Sequence, residues 1–352
     1  MVKNMKKVSN YVTSMMNVTK DNNQFEDVKL SIIIPVYNAE KFIRDCLNKV
    51  LRIPLNKEII VINDCSQDCS SEILSEYGNQ IILIDLTENH GVSHARNLGL
   101  QRATGNYITF IDIDDDFELE MHAKILSMML EKQADVGICN NDIIELSGKV
   151  LKPKHTFDLR DVEQTEVVCN YLRDRIVPAV WSSIYQAELA KSVQFEERIR
   201  IGEDILYVLQ ILLKARKTCF INEALYHYKQ YPTSAMHVLS DKLLQYLQIT
   251  HYLTPAELTV LDQQYFEEFK YFKLEMVRRT VHAISLAAKG NRKQAKTMLK
   301  SFINKDLCRA VIKNQYTPRY VRIEFWLLKT FGVGFHLLVF PCYALIRKIL
   351  RK

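Results

Sequence analysis

The stretch Asn106-Tyr-Ile-Thr-Phe-Ile-Asp-Ile-Asp-Asp-Asp-Phe117 joins an apolar run to a cluster of acidic residues. Residues 107–111 are β-branched or aromatic, which predicts a buried strand. Four acids come directly after it: Asp112, Asp114, Asp115 and Asp116. Carboxylates crowded at the end of a buried strand repel one another, and a divalent cation removes that repulsion. The same acids also suit a solvated turn that caps a helix beginning near Phe117, so this stretch alone leaves both interpretations open.

The residues before this stretch alternate short apolar runs with helical patterns. Residues 30–36, 58–62 and 81–85 have the composition of buried strands, and amphipathic segments separate them. This alternation predicts an α/β fold with a doubly wound, mostly parallel sheet and helices on both faces. Ligands bind such sheets beyond the carboxyl ends of the strands, so polar residues at these ends should share one crevice. They are Tyr37, Asn38, Asn63, Asp64, Asp112 and Asp114.

The turn after the first predicted strand argues against two common nucleotide-binding motifs. Residues 35–40, Pro-Val-Tyr-Asn-Ala-Glu, contain no glycine, whereas the Rossmann turn needs glycines to approach a pyrophosphate. The sequence contains no P-loop motif either. If the protein binds a nucleotide, another group must neutralise its phosphates, and a metal ion on the acidic cluster would serve.

The net charge of +6 is concentrated toward the carboxyl-terminal end of the sequence. Residues 313–352 carry eight lysines and arginines against a single acid, Glu324, so the rest is close to neutral. This distribution argues against a nucleic-acid partner and for a local anionic one. The uncharged apolar stretch 330–346 is short for a membrane-spanning helix. With its basic flanks it suits a segment lying on anionic headgroups, and a buried helical hairpin is the alternative.

Helical periodicity from about residue 241 onward predicts a change of architecture, and we expect four regions. These are an extension at 1–28, a sheet domain at 29–238, a helical region at 239–318 and a basic amphipathic tail at 319–352. The extension lacks the apolar core of a signal peptide. The eight cysteines show no paired CxxC spacing, which predicts free thiols and no zinc site. We therefore expect a cytoplasmic protein attached peripherally to the inner face of the cell membrane.

Four motifs in order resemble the family 2 glycosyltransferases with the GT-A fold. They are IIIPVYNAEKFIRDCL, EIIVINDCSQDCS, NHGVSHARNLGLQRATGNYITFIDIDDD and IGEDILYVLQIL, and the resemblance covers about residues 30–235. It implies an inverting transfer that depends on Mn²⁺ or Mg²⁺ and uses a nucleotide-diphosphate sugar, with UDP expected. The implied acceptor is a saccharide or lipid-linked molecule in cell-surface polysaccharide synthesis.

The resemblance also implies a donor site. Seven residues would bind the nucleotide sugar: Pro35, Val36, Tyr37, Glu40, Asp64, Arg96 and Asp112. Asp64 would accept a hydrogen bond from the nucleobase, and Arg96 would lie near the diphosphate. Asp112 and Asp114 would hold the metal ion. His227, which follows the last strand of the domain, could complete the metal shell or touch the diphosphate, although a lone histidine is more often structural.

The remaining roles concern transfer to the acceptor. By the resemblance, Asp204 would be the catalytic base, with Glu203 beside it. Acids in the first turn of a helix are otherwise ordinary caps. Trp181 could stack on a sugar acceptor, and core packing is the alternative for an aromatic residue.

The sequence departs from the family pattern at three positions that bear on activity. Asn63, Cys65 and Ser183 stand where the family usually has Asp, Gly and Lys. These departures favour one alternative, a catalytically silent saccharide-binding or scaffold protein. A sugar nucleotidyltransferase is another alternative, since its sheet and acids are similar. That enzyme needs a glycine- and arginine-rich loop after the first strand, which residues 35–41 do not provide.

Overall fold

A computed structural model of the chain describes residues 28–145, 150–151, 162–231, 238–288 and 291–350. Nearly all of the extension expected at 1–28 therefore lies outside the described residues. The chain forms two compact units. Unit 1 comprises Met1–Val167, Ala179–Glu197 and Lys214–Lys229. Unit 2 comprises Val168–Pro178, Arg198–Leu213 and Gln230–Lys352. The predicted domain boundary at residue 238 stays a prediction; the last change of unit, between Lys229 and Gln230, lies near it, and two earlier segments also belong to unit 2.

In the described part of unit 1, nine strands form one sheet with helices around it. The strands are β1 Leu30–Val36, β2 Lys57–Asn63, β3 Ile82–Asp85, β4 Tyr107–Phe110, β5 Asp116–Phe117, β6 Val136–Glu145, β7 Val150–Leu151, β8 Ser183–Gln186 and β9 Thr218–Gln230. Their order is β3-β2-β1-β4-β8-β6-β9-β5, with β7 beside β6. Strands β3, β2, β1 and β4 are parallel, whereas β8 pairs antiparallel with both β4 and β6. The predicted α/β fold is confirmed.

The helices of the first half lie between its strands along the chain. They are α1 Ile43–Leu51, α2 Ser70–Ser75, α3 Val92–Arg102 and α4 Met121–Lys132. The helix expected near Phe117 begins instead at Met121, because Asp116 and Phe117 pair with His227 and Tyr226 of β9. The later helices are α5 Gln164–Leu172, α6 Ala187–Lys191 and α7 Glu203–Lys214.

The core of unit 1 explains why β1 occupies the middle of the sheet. Leu30, Ile32, Ile33 and Ile34 have no exposed surface, as expected for a parallel strand covered on both faces. Helix α3 lies close against this strand at Gly99, where an added Cβ would lie 2.3 Å from Cγ2 of Ile33. This close packing fixes the segment that precedes the acidic cluster.

Unit 2 is helical. Besides most of α7 it contains a 3₁₀ helix at Asp241–Tyr252, α8 Pro255–Gln264, α9 Phe266–Ala287, α10 Arg292–Phe302, α11 Lys305–Lys313 and α12 Arg319–Leu350. Helix α12 is bent at Gly332, whose φ of 77° lies in the left-handed region. The part Arg319–Phe340 is long and apolar enough to cross a membrane by length and composition, although 39% of its most apolar window is buried in the protein.

A buried ion cluster, formed by Asp174, Glu275, Arg278 and Arg279, stabilises unit 2. Arg279 Nη2 lies 2.6 Å from Asp174 Oδ1, and Arg278 is paired with the Glu275 carboxylate. The side chains of Asp174 and Glu275 are only 4% and 2% exposed. Leaving any of these charges without its partner would be costly, because the charges are buried. The ion cluster therefore holds the segment Val168–Pro178 against helix α9.

Candidate functional site

The acidic cluster lies directly beyond β4, at the carboxyl end of the parallel half of the sheet. Arg96 of α3 donates from Nη2 to Asp112 Oδ1 at 2.9 Å, and only 3% of the Arg96 side chain is exposed. Its guanidinium also lies over the Phe195 ring, 5.4 Å from the centroid. The structure therefore brings together two residues that the resemblance assigned to the donor site. The buried guanidinium supplies a fixed positive charge beside the first aspartate.

The other acids of the cluster differ in how far their charge is compensated. Burial and the neighbouring Asp112 raise the pKa of Asp114 to about 6. Burial and both of these acids raise the pKa of Asp115 well above its usual range. Burial alone would also raise the pKa of Asp116, but its ion pair with Lys49 lowers it. The negative charge is therefore least well stabilised at Asp114 and Asp115.

Asp115 links the cluster to strand β9. The Tyr226 hydroxyl donates to its Oδ2 at 2.9 Å, and the Lys229 backbone N–H donates to its Oδ1 at 2.8 Å. Only 7% of Asp115 is exposed. Sequence reasoning gave this residue no separate role, because both of its partners lie more than 100 positions further along the chain.

The donor set of Asp112 and Asp114 fits a hard divalent cation. A cation would relieve the repulsion that raises the pKa of Asp114. Mg²⁺ is commonly held by one or two carboxylates and completes its shell with water and substrate phosphates. Among the residues that the structure describes, no group of three or more His, Cys, Asp or Glu side chains could hold a metal ion. The two aspartates would therefore share the ion with the substrate.

His227 has a protein partner of its own. His227 lies within β9 and not after the last strand as expected, because β9 continues to Gln230. It is in register with Asp116, and its Nε2 is 3.0 Å from Oε1 of Glu118. Its role as a metal ligand stays a prediction.

The residues after β1 are joined to the loop after β2. Tyr37 is 50% exposed, while Val36 before it is buried. The Asn38 N–H donates to Ser66 Oγ at 2.9 Å, and the Gln67 N–H donates to Asn38 Oδ1 at 2.7 Å. These bonds hold the backbone next to Tyr37 at the edge where nucleotides bind in such sheets.

Glu40 makes a second connection between the same loops. Its N–H donates to Asp68 Oδ2 at 3.1 Å, and its carboxylate accepts the Cys69 N–H at 3.2 Å. The Pro35 ring stands next to Val36 at the end of β1. The structure places these expected nucleotide-binding residues along one stretch of the crevice edge, and their contacts with a nucleotide stay predictions.

Asp64 is engaged by the backbone before α3. Its Oδ1 accepts the His90 N–H at 2.8 Å and its Oδ2 accepts the Gly91 N–H at 2.7 Å. Asp64 is only 3% exposed. Gly91 has a φ of 90°, so this turn needs glycine. Asp64 therefore fixes the loop in front of Arg96, and its nucleobase contact stays a prediction.

Two departures from the family pattern have local explanations. Asn63 donates from Nδ2 to Asp85 Oδ1 at 2.7 Å and accepts the Ser66 hydroxyl at 2.5 Å. A carboxylate at position 63 could not donate to Asp85. Cys65 has a φ of 59°, in the left-handed region that glycine occupies more easily, and its thiol donates to the Thr87 carbonyl at 3.3 Å.

Trp181 and Ser183 lie in the interior of unit 1. Trp181 is 7% exposed and stacks on Tyr226, with ring centroids 4.3 Å apart, and on Tyr228, with centroids 5.9 Å apart. Ser183 is 2% exposed, and its carbonyl accepts the Thr109 hydroxyl. These contacts are packing contacts, and the acceptor role of Trp181 stays a prediction.

Glu203 and Asp204 form the first turn of α7 and belong to unit 2. Gly202 before them has a φ of 89°, and an added Cβ there would lie 2.9 Å from the Tyr246 ring. The turn that presents the two acids therefore requires glycine. The catalytic role of Asp204 and the supporting role of Glu203 stay predictions.

Comparisons with known proteins agree with this architecture. Residues 31–212 match the model of the family described as glycosyl transferase family 2. Over 63% of its length the chain is 30% identical to the glycosyltransferase GlyA of Streptococcus pneumoniae, and over 59% it is 31% identical to the uncharacterized glycosyltransferase EpsJ of Bacillus subtilis. The matches span 33% and 63% of those two proteins, so less than two thirds of each is represented.

A solved structure shows the same fold. The crystal structure of Staphylococcus aureus TarS residues 1–349 in complex with UDP-GlcNAc superimposes with a TM-score of 0.61. The superposition covers 90% of this chain and 91% of that one at 20% identity. At this level of identity the likeness establishes the GT-A fold and nothing about the ligand of this chain.

Proposed function

Because the chain belongs to glycosyl transferase family 2, we propose that it transfers a sugar from a nucleotide-diphosphate donor, with UDP as the nucleotide. The proposed acceptor is a saccharide or a lipid-linked saccharide in cell-surface polysaccharide synthesis. One observation carries the proposal: just beyond β4, Asp112 is paired with the buried Arg96, and Asp114 lies two residues further on. Such a site suits a diphosphate and a cation together. The TarS complex with UDP-GlcNAc agrees with this choice of donor class.

The residues of unit 1 would bind and orient the donor. Tyr37 offers an exposed aromatic face for the nucleobase, and Arg96 offers positive charge near the diphosphate. Asp112 and Asp114 would hold Mn²⁺ or Mg²⁺. When bound, this ion supplies Lewis-acid stabilisation of the charge that develops on the leaving diphosphate.

The proton of the acceptor hydroxyl must go to a base as the hydroxyl attacks the anomeric carbon. We assign this role to Asp204, with Glu203 beside it, and we assign acceptor contact to Trp181. The C–O bond to the new acceptor forms as the bond to the diphosphate breaks, and Asp204 takes the proton. A single displacement of this kind inverts the anomeric centre.

Titration of UDP by calorimetry, with and without Mn²⁺, tests the donor site. The wild type should bind UDP more tightly with Mn²⁺, and Asp114→Asn should lose that gain because one of two ligands is removed. Asp116→Asn is the matched control, since this acid lies two residues further on, at the start of β5, but is paired with Lys49. Wild-type protein without metal-dependent binding would contradict the proposal and favour a silent scaffold.

Transfer itself is tested by release of UDP from a panel of UDP-sugars with saccharide acceptors. Asp204→Asn should retain UDP affinity and lose acceptor-dependent UDP release, because only the proton acceptor is removed. Full transfer by this variant would refute the assignment of the base. A nucleotidyltransferase would instead form pyrophosphate from a nucleoside triphosphate and a sugar phosphate, which an assay for pyrophosphate detects.

We also propose that α12 attaches the protein to the inner face of the cell membrane. In the part of this helix up to Phe340, five apolar side chains are well exposed: Ile323, Trp326, Phe331, Phe335 and Leu338. An exposed apolar strip beside basic residues suits an anionic lipid surface. The arginines and lysines at 347–352 add positive charge on the same helix and just beyond it.

Sedimentation with phosphatidylglycerol vesicles tests this attachment. Trp326→Ser combined with Phe331→Ser should abolish sedimentation, because it removes the two most exposed aromatic side chains of the strip. Phe266→Ser is the matched control, since Phe266 is equally exposed at 56% but lies on α9. Vesicle binding should also shift the fluorescence of Trp326 to the blue. Equal sedimentation of the double variant and the control would reject the strip as the attachment surface.

A further inference from the structure

Helix α10 carries a row of lysines along one exposed face. Lys293, Lys296 and Lys300 are exposed and recur at intervals of three and four residues, so they lie on the same side of the helix. Met298 and Leu299 are buried on the other side. Within the described part of the chain, none of the three lysines is paired with a carboxylate. This lysine row is therefore a positive surface that neighbouring acids do not neutralise.

The lysine row lies beside the exposed apolar strip of α12. A Cβ added at Gly334 would lie 3.5 Å from both Cε and Nζ of Lys296. Gly334 and Leu338 are four residues apart on α12, so they lie on the same side of that helix, and Phe335 directly follows Gly334. Phe335 and Leu338 are both exposed members of the strip. The ammonium group of Lys296 is thus next to the apolar surface.

Polar contacts hold another side of α12 to α9. His336 Nε2 lies 3.1 Å from Oγ of Ser285 on α9 and 3.9 Å from Oε1 of Glu324. The side chains of His336 and Glu324 are both buried. Ionisable groups are costly in hydrocarbon, so α12 meets a membrane while it is still packed on α9, and not as a separate spanning helix. The lysine row therefore stays beside the strip when the strip meets lipid.

We propose that the lysine row of α10 and the apolar strip of α12 form one surface that selects anionic phospholipids. This inference rests on the proposed membrane attachment through α12 and adds the part of the surface that recognises charge. The apolar side chains enter the headgroup layer, and the ammonium groups lie at the depth of the lipid phosphates. Each basic residue close to an anionic membrane strengthens binding by about fivefold, so three strengthen it by about a hundredfold.

Co-sedimentation of the full chain with two kinds of vesicle tests the proposal. One kind contains phosphatidylcholine alone, and the other contains equal amounts of phosphatidylcholine and phosphatidylglycerol. The wild type should prefer the anionic vesicles. The lysine-row variant, Lys293→Gln with Lys296→Gln and Lys300→Gln, should lose about a hundredfold in affinity for the anionic vesicles. It should keep the wild-type affinity for the neutral vesicles, because only charge is removed.

Three exposed lysines of unit 2 outside α10 and α12 provide the matched control. The control variant, Lys242→Gln with Lys270→Gln and Lys273→Gln, removes the same net charge. Lys270 and Lys273 lie about 20 Å along α9 from Ser285, which contacts α12. The control variant should bind both kinds of vesicle as the wild type does. Circular dichroism should show that both variants are folded, since every substituted lysine is exposed.

The fluorescence of Trp326 separates loss of charge from damage to the strip. At saturating concentrations of anionic vesicles, the lysine-row variant should show the same blue shift as the wild type, because the strip itself is unchanged. A smaller blue shift at saturation, or a loss of affinity for neutral vesicles, would mean that the lysines only support the strip and would overturn the proposal.

The remaining outcomes separate this inference from the proposed attachment. Equal affinity of the lysine-row variant and the control variant for anionic vesicles would overturn the role of α10, while attachment through α12 would stand. Wild-type protein that binds neutral and anionic vesicles equally well would have the same consequence. Wild-type protein that binds neither kind of vesicle would refute the proposed attachment and this inference together.

Discussion

Replacement of His122 should stabilise unit 1 and make its stability less sensitive to acid. His122 lies in the first turn of α4, directly after the segment that carries the acidic cluster. It has no exposed surface, and neither ring nitrogen has a hydrogen-bond partner among the residues that the structure describes. Its ring packs edge-on against Phe117, with centroids 5.3 Å apart. An unsatisfied buried polar group costs about 1–3 kcal/mol of stability. The unfolding free energy of His122→Leu at neutral pH should therefore exceed that of the wild type by about that amount.

The pH dependence follows from the same burial. Burial, with a smaller contribution from Lys57, lowers the pKa of His122 from 6.5 to about 3. Below pH 6.5 the unfolded chain therefore binds a proton that the folded chain does not bind until about pH 3. Stability must fall as the pH falls through this window. Between pH 7.5 and 4.5 this one histidine removes about 3 kcal/mol of unfolding free energy, which His122→Leu should retain.

Tryptophan fluorescence gives an assay for unit 1 alone. The chain has two tryptophans, Trp181 in unit 1 and Trp326 in unit 2, so a Trp326→Phe background leaves a single reporter. Urea unfolding of this background should be compared with its His122→Leu derivative at pH 7.5 and 4.5. His251→Leu is the control, because this histidine is exposed and should not change the transition. If the difference in unfolding free energy between His122→Leu and its background is the same at both pH values, the reasoning is refuted.

Three further predictions test the packing that supports the site. Gly99→Ala should lower the unfolding free energy of unit 1 by about 1–3 kcal/mol in urea titrations, because the new Cβ would overlap the Ile33 side chain. Tyr226→Phe removes the hydroxyl that donates to Asp115 and should cost about 1 kcal/mol or more by the same measurement, without abolishing folding. Glu275→Gln breaks the buried ion cluster and should lower the unfolding free energy of unit 2 by about 3–5 kcal/mol. In a Trp181→Phe background, the Trp326 fluorescence should then change at a lower urea concentration.

The first half of the fold was predictable because its signals are local. The runs at 30–36, 58–62 and 81–85 became β1, β2 and β3 to within one residue, since buried parallel strands are continuously apolar. The antiparallel half was not predicted. Strand β8 pairs with β4 and β6 from positions about 75 and 45 residues away, and no local pattern specifies such partners.

The gathering of polar residues at the strand ends was predictable, whereas their hydrogen bonds were not, and their roles stay predictions. The strand ends collect the expected polar residues, because parallel strands all end at the same edge. The contact of Arg96 with Asp112 is consistent with the motif that contains both. The engagement of Asp64 by two backbone N–H groups could not be read from the sequence, since every residue but proline offers the same donor.

The departures from the family pattern argue less for a silent protein than the sequence alone suggests. Loss of the acid at position 63 would weaken a nucleotide site only if no neighbour replaced its charge, and the Asn63 amide holds the carboxylate of Asp85. The left-handed backbone at Cys65 costs about 1–2 kcal/mol but keeps the turn that glycine would form. Cys65→Gly should therefore raise the melting temperature with little change in UDP affinity. A gain of UDP affinity of tenfold or more in that variant would mean that the thiol obstructs the nucleotide, and the silent alternative would regain its support.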